Sequence, residues 1–551
     1  MPRRNVTEIA GNKGDMSSAP GSSRAKNLAL AAMLFAVAMT FIDQTIVAIA
    51  SPDIQSELSL SHAGSQWVVN AYLLALAAAF ALGGRLADVI GPRRMVYIGI
   101  IGFAGASALC GATPKGAAAQ SWIIIFRVIQ GVSGAIMVPA ALAVVVATFP
   151  VRERGRALAV FFGVSGGLTS VGPIAGGYLT QWTWRAIFWV NIPIAVIALV
   201  LTFMARIPST RQQARIDLPG AGLVAVGMGL SVLGFEQAPS WGWRNPGTWA
   251  CIIGGLLVLA AFARFELGVA SPLIRVQIFR DRAFVIDNVV LLLSQIAFVP
   301  VFFFAAVYSQ VSLGYSASNA GLYLLVFFAG FAPAAQIGGR MLDLRGAKRP
   351  MVLGCALSTA GFILWAGDIN HLSLGSQWIY IAMAGAGIGL LLGPASTDAV
   401  NRSFGTSYGE VTGITQTVRN YGAALGIAVL GTLLSTVLSN RLHSSLGKLG
   451  VPAKDINDIV HAAGSASAPN AGSKAPAALK DRISDAIGHG FASATGAVLY
   501  GMAVALGVAF LVALRHPGGR AGVSEEVDLD ETRTSQPAPS AAPGDVRGHT
   551  P

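Results

Sequence analysis

Gly83-Gly84-Arg85-Leu86-Ala87-Asp88-Val89-Ile90-Gly91-Pro92-Arg93-Arg94 ends the second of a long series of apolar blocks. A near copy, Gly338-Gly339-Arg340-Met341-Leu342-Asp343-Leu344-Arg345-Gly346-Ala347-Lys348-Arg349, ends the tenth. The Gly-Gly-Arg, the aspartate, the later glycine and the final arginine coincide, so the chain carries an internal duplication. The glycines permit close helix packing and a tight turn. Asp88 is placed to cap the start of the third block's helix and to pair with a neighbouring arginine. Such a charged cluster latches one conformation and releases in another. Gly84, Asp88, Gly91, Arg93, Arg94, Asp343 and Arg349 are therefore the candidate latch residues.

Composition says what the blocks are. The 551 residues are 54% hydrophobic and only 12% charged, with 65 Gly and a mean hydropathy of +0.61. Soluble proteins carry about 25% charged residues, so this chain cannot clothe several soluble domains. A helix crosses the hydrocarbon layer with about 20 mainly apolar residues. That ruler gives fourteen spans, near 28–51, 66–87, 95–112, 121–147, 156–179, 186–206, 217–235, 248–267, 284–310, 318–340, 350–368, 378–400, 413–438 and 491–514. Barrel strands would be about ten residues long with alternating polarity, which these are not. The first block resembles a signal peptide at Ala48-Ile49-Ala50, but it is too long and contains Asp43, so it reads as an uncleaved span.

The net charge of +12 becomes a topology signal once its members are placed. Most Lys and Arg fall on one face, taken as cytoplasmic, and the short loops opposite hold only Lys115, Arg185 and Arg244. Both termini then lie in the cytoplasm and the number of spans is even. The positives form no single patch, which excludes nucleic acid as a partner and leaves the lipid bilayer. Residues 1–27 and 515–551 read as disordered cytoplasmic tails. The 439–490 stretch reads as a long outside loop with an amphipathic piece around 476–489. Cys110, Cys251 and Cys355 each lie in apolar surroundings, without disulfide or metal spacing. No Walker A sequence is present. Gly163-Val164-Ser165-Gly166-Gly167 matches a hydrolase elbow only formally, since it lies within a span and all seven histidines lie outside the spans. An enzyme, a cofactor and a bound metal are thus not expected. Two bundles of six spans, 28–206 and 284–514, with two inserted spans in 207–283, match the way many secondary transporters build a central site between rocking halves.

These residues resemble the major facilitator superfamily, and within it the 14-span drug:proton antiporter branch, over roughly Leu28 to Leu514. The family's loop signature matches at Gly84, Leu86, Ala87, Asp88, Gly91, Arg93 and Arg94, while Val89 stands where a basic residue is usual. The first-span pattern appears as Asp43-Gln44-Thr45-Ile46-Val47 with Ala50 and Pro52. The fourth-span signature matches at Arg127, Gln130, Gly131 and Gly134. The antiporter motif of span five is similar at Gly163, Gly167, Gly172-Pro173 and Gly176-Gly177. Trp182-Thr183-Trp184-Arg185, with Phe188, Asn191 and Pro193, is similar to the branch's signature around span six. The resemblance implies an all-α major facilitator fold and a proton-coupled exporter of hydrophobic or cationic drugs. It also implies a bacterial cytoplasmic membrane, small molecules and protons as partners, and function as a monomer. A major facilitator carrier of one metabolite, such as a lipid, siderophore or amino acid, is the alternative.

Proton coupling needs an ionisable group inside the membrane. Asp43 lies about eight residues from the outer end of span one, roughly 12 Å deep, and Arg127 about six residues from the outer end of span four, roughly 9 Å. Those depths allow contact. A cation beside Asp43 favours its carboxylate and burial favours the acid, so movement between the two environments couples protonation to alternating access. Gln130, Asp287, Phe302, Tyr308 and Asp398 are the candidate cavity residues. Asp287 and Asp398 sit near cytoplasmic span ends, where salt bridges with Arg282 or Arg402 are expected. Arg419 lies in span thirteen with no partner legible in the sequence.

Overall fold

A computed structural model describes residues 23–60, 62–205, 207, 217–269, 276–402, 408–448, 456 and 480–519. Most of both expected tails, and the middle of the 439–490 stretch, lie outside the described residues. Among these residues the chain is helical throughout, with no strand. The first helices are α1 (Ser23–Glu57), α2 (His62–Ile90), α3 (Pro92–Gly111), α4 (Ala119–Thr148), α5 (Val151–Trp182), α6 (Ala186–Trp189) and α7 (Asn191–Met204). Then come α8 (Leu218–Trp241), α9 (Pro246–Glu266), α10 (Arg282–Val311), α11 (Ala317–Arg345), α12 (Lys348–Asp368), α13 (Leu374–Asn401), α14 (Tyr408–Lys448) and α15 (Lys480–Leu514).

Helix starts follow local chemistry. Asp281 accepts from the Ala283 backbone N–H at 2.8 Å, and Asn245 accepts from Gly247 at 2.8 Å ahead of Pro246, each side chain satisfying a donor that a helix N-terminus leaves open. Twelve helical segments among the described residues are long and apolar enough to cross a membrane, with α6 and α7 together making one of them. The 32-residue α5 and the shorter apolar stretch Pro219–Phe235 of α8 fall outside that set of twelve. Ile98, Phe203, Leu257 and Val504 stand exposed on the outward faces of α3, α7, α9 and α15. Apolar exposure on that scale fits lipid as the surrounding solvent.

The duplication is visible in the packing. Gly83 lies against the backbone of Ala135 in α4, and Gly338 lies against the backbone of Leu390 in α13. The first glycine of each copy thus seats its helix against the helix two places on, where a side chain would force the backbones apart. The halves meet through α2 with α14 and α5 with α11, the pairings that a two-fold relation between repeats requires. The inserted pair α8–α9 packs through α8 on α2 and α14, where Trp243 Nε1 donates to Thr432 Oγ1 at 2.5 Å.

Two expectations need correction. The duplicated segment is helix nearly throughout: α2 runs to Ile90, Gly91 alone turns the chain at φ +105°, and α3 begins at Pro92. Gly346 turns the second copy at φ +76°. Asp88 therefore sits in the last turn of α2, and the position before α3 is Gly91, with no side-chain cap. The 439–490 stretch is also not simply loop. Helix α14 continues to Lys448 and α15 starts at Lys480, because Leu438, Leu442, Leu446, Ile483, Ile487 and Phe491 bury a continuous apolar seam between them. Fourfold spacing of leucines places them on one helical face, and that seam carries both helices past the membrane ruler.

Candidate functional site

Asp43 on α1 meets Arg127 on α4 in a closed ion pair, with both side chains at most 1% exposed. Gln130, one turn along α4, shares the face of Arg127. Its Oε1 accepts from Arg127 Nη1 at 2.8 Å, and its Nε2 donates to Asp43 Oδ1 at 2.9 Å. Arg127 Nε donates to the Val68 carbonyl of α2 at 2.8 Å, and its guanidinium lies 4.4 Å from the Tyr72 ring centre. The network reaches Ser107 of α3, whose hydroxyl receives Gln130 Nε2 at 3.2 Å and Asn191 Nδ2 at 2.9 Å and donates to the Phe188 carbonyl at 2.9 Å. Both Asp43 oxygens are therefore bonded, which is the condition under which a buried pair is tolerable. The arrangement offers two states: a paired carboxylate, or a protonated acid with Arg127 still held by Gln130 and Val68.

The fifth-span motif touches this site from the other side. A side-chain carbon at Gly172 would stand 2.9 Å from the Ile42 carbonyl and run into Thr45, so the missing side chain lets α5 lie directly on the turn of α1 that holds Asp43. Gly176 and Gly177 are buried on α5 as well. Gly163, Gly167 and Pro173 lie on the same helix, described in backbone only.

The remaining candidates fall elsewhere. Phe302 stacks on Phe328 with ring centres 5.1 Å apart, and Tyr308 donates to the Ile369 carbonyl at 2.9 Å while accepting from Gln377 at 3.0 Å. Both belong to the packed interior of the second repeat. Phe303 points outward, and Phe304 is buried. Gly84 is buried near the end of α2, and Asp88 is half-buried a turn further on. Arg93 Nη1 reaches the Ile207 carbonyl at 3.4 Å, Arg94 and Arg349 are exposed, and Asp343 is half-buried. Arg419 donates to Gln416 Oε1 at 2.9 Å, and Gln295, with its amide oxygen turned inward, accepts from Arg419 Nε at 2.9 Å.

Asp398 bonds Arg402 at 2.6 Å, as the sequence leads one to expect, whereas Asp287 faces His516. Burial works against a positive charge at His516, and the two carboxylates beside it outweigh that, raising the affinity of this cluster for a proton. Asp287, Asp398 and His516 are the one set of three such side chains close enough for a shared cation among the described residues. The Arg402 cation on Asp398 and a backbone N–H on His516 Nδ1 make it an ion cluster in place of a ligand set. Sequence reasoning missed His516, Ser107 and Gln377 as network members. The available signal for His516 was a histidine directly after the last span, followed by Pro517-Gly518-Gly519.

Residues 33–427 match the profile of the Major Facilitator Superfamily, and the chain belongs to that superfamily: a multi-pass membrane transporter and not an enzyme. It is 31% identical over 493 residues to the tetracenomycin C resistance and export protein of Streptomyces glaucescens, covering 88% of this chain and 89% of that protein. The puromycin resistance protein pur8 of Streptomyces alboniger is 33% identical, covering 82% and 90%. The multidrug transporter protein MdtP of Bacillus subtilis is 29% identical, covering 78% and 79%. Among solved structures, the proton:xylose symporter XylE aligns with a TM-score of 0.57 at 14% identity, over 92% of this chain and 99% of that one. That likeness speaks for the fold alone.

Proposed function

We propose that the protein is a proton-coupled exporter of hydrophobic or cationic drugs, working by alternating access as a monomer. In this reading it has fourteen spans in a bacterial cytoplasmic membrane, with both termini in the cytoplasm. The observation that carries the reading is the buried Asp43–Arg127–Gln130 triad, seated where Gly172 of α5 meets α1. Protonating Asp43 removes the charge that Arg127 faces, while Gln130 and the Val68 carbonyl keep the guanidinium hydrogen-bonded. The proton thus changes how tightly α1 is held to α4 without leaving a bare cation, and a change of that kind on a helix contacting α5 biases which face of the bundle is open.

The cargo class is supported by relatives whose names speak of drug resistance and export. Two of those names each cite a single compound, which favours a second reading: a carrier dedicated to one cargo. A resistance panel in an efflux-deficient host separates broad from narrow cargo. Everted vesicles then test coupling: a pH gradient drives uptake of the hit by the native protein, and Asp43→Asn abolishes that dependence. Undiminished pH-driven uptake by Asp43→Asn overturns the proposal.

A further inference from the structure

Asp287, near the start of α10, and Asp398, in the last turn of α13, face each other across His516, just beyond the end of α15. Asp287 and His516 are 0% exposed and Asp398 is 1%. His516 Nε2 lies 3.4 Å from Asp287 Oδ1 and 3.3 Å from Asp398 Oδ2. The segment that carries His516 folds back over the second copy's turn: Gly519 rests against Gly346, and Gly518 lies beside the Lys348 stem.

Charge and hydrogen positions can be counted here. The Gly518 backbone N–H donates to His516 Nδ1 at 3.1 Å, so Nδ1 carries no hydrogen and the ring's own hydrogen is on Nε2. Two carboxylates then face one fixed cation, Arg402. One negative charge is left over in a buried setting, and neither oxygen of Asp287 has a hydrogen-bond partner. Other charged groups approach without supplying one. Asp281 caps α10 and acts on Arg402; Arg280, Arg282 and Arg515 line a neighbouring cavity; and Lys348 runs past Gly518.

We propose that Asp287, His516 and Asp398 together bind one exchangeable proton, shared by the two carboxylates around the Nε2–H of His516, and that this proton fastens the C-terminal segment to α10 and α13. The proton belongs to the trio and not to a single member. The fastening matters for the gate because Phe284, three residues before Asp287, and Ala399 and Val400, directly after Asp398, share a buried apolar cluster with Ala141, Val145 and Phe161 of the first repeat. The trio therefore sets the helix ends through which the second repeat meets the first. It is separate from the Asp43 site, and its loss of the proton as pH rises leaves an uncompensated buried charge that expels the segment.

The test uses full-length protein in lipid nanodiscs, with a nitroxide on Pro517→Cys and Cys251→Ser as background, Cys110 and Cys355 being buried. The label is expected to be immobilised at about pH 6 and mobile at about pH 10, a range that spans ordinary histidine and lysine titration. Asp287→Asn, which needs no proton, is expected to stay immobilised at both, and His516→Ala to be mobile at both. A label equally immobile at both pH values in the native background, or Asp287→Asn following the native profile, overturns the proposal. Asp43→Asn keeps the native label profile, so failure of drug coupling and failure of this clasp are read separately.

Discussion

The guanidinium carbon of Arg127 lies 4.4 Å from the centre of the Tyr72 ring, whose hydroxyl donates to the Thr40 carbonyl of α1 at 3.0 Å. One side chain thus supports the cation from below and ties α2 to the helix that carries Asp43. Tyr72→Phe keeps the ring and loses the hydroxyl bond, at an expected cost of about 1 kcal/mol. Tyr72→Leu also loses the cation–π contact, adding about 0.5–2 kcal/mol. Denaturant unfolding in nanodiscs measures both, and equal losses would remove the ring from the account.

Breaking the buried pair from its two sides is unequal. Arg127→Gln leaves the Asp43 carboxylate without its cation and is expected to cost about 3–5 kcal/mol, whereas Asp43→Asn mimics the protonated acid, with Arg127 still held by Gln130 and the Val68 carbonyl, and is expected to cost less. The double variant carries no orphan charge, so it is expected to lose less than the sum of the singles. A double-mutant cycle on unfolding free energies reads the coupling, and additivity would contradict the geometry.

Gly172 has a different use. Gly172→Ala pushes α5 away from Ile42 and Thr45, next to the Asp43 carboxylate. Export is expected to fall on the order of 10- to 100-fold, as small misplacements at a working site do. Gly83→Leu and Gly338→Leu instead strike equivalent contacts inside each repeat, and are expected to destabilise by about 1–3 kcal/mol or more and by similar amounts. Thermal unfolding beside vesicle transport distinguishes the two kinds of glycine.

Glu57, at the C-terminal end of α1 and beyond its apolar span, accepts from Lys115, Arg185 and Trp184, the last at 2.7 Å. Burial works to raise its value, but the hydrogen bonds from Lys115, Arg185 and Trp184 outweigh it and hold the carboxyl below its ordinary range. A lowered folded value means stability that is present above the free carboxyl's pKa, about 4.3, and lost as pH falls through the folded value. Melting temperatures of the native protein are therefore expected to drop on acidification through that window, and Glu57→Gln to flatten that limb. An unchanged acid limb in the variant would assign it to other carboxyls.

Much of this was legible in the residues because span length and charge placement are dictated by the solvent. Asp43 and Arg127 were readable as partners because each is a rare charge in an apolar run, at matching depth. Asp88 was misplaced as a cap because apolar periodicity does not show that α2 runs on to Gly91. His516 escaped notice for the opposite reason: it lies outside every span, and only the fold brings it back between two helices. For Phe302 and Tyr308 the sequence shows an aromatic stripe but not its neighbours: Phe302 stacks on Phe328, and Tyr308 meets Tyr323 at a tilt.

Helix α14 has 41 residues, about 60 Å at 1.5 Å per residue, against a hydrocarbon layer of about 30 Å. Together with the start of α15 it forms a paired rod longer than that layer, zipped along Leu442, Leu446, Ile483 and Ile487. If the halves rock as proposed, a rod rooted in one of them is a lever arm: a few degrees of tilt at its root would become a displacement of several ångströms at its tip.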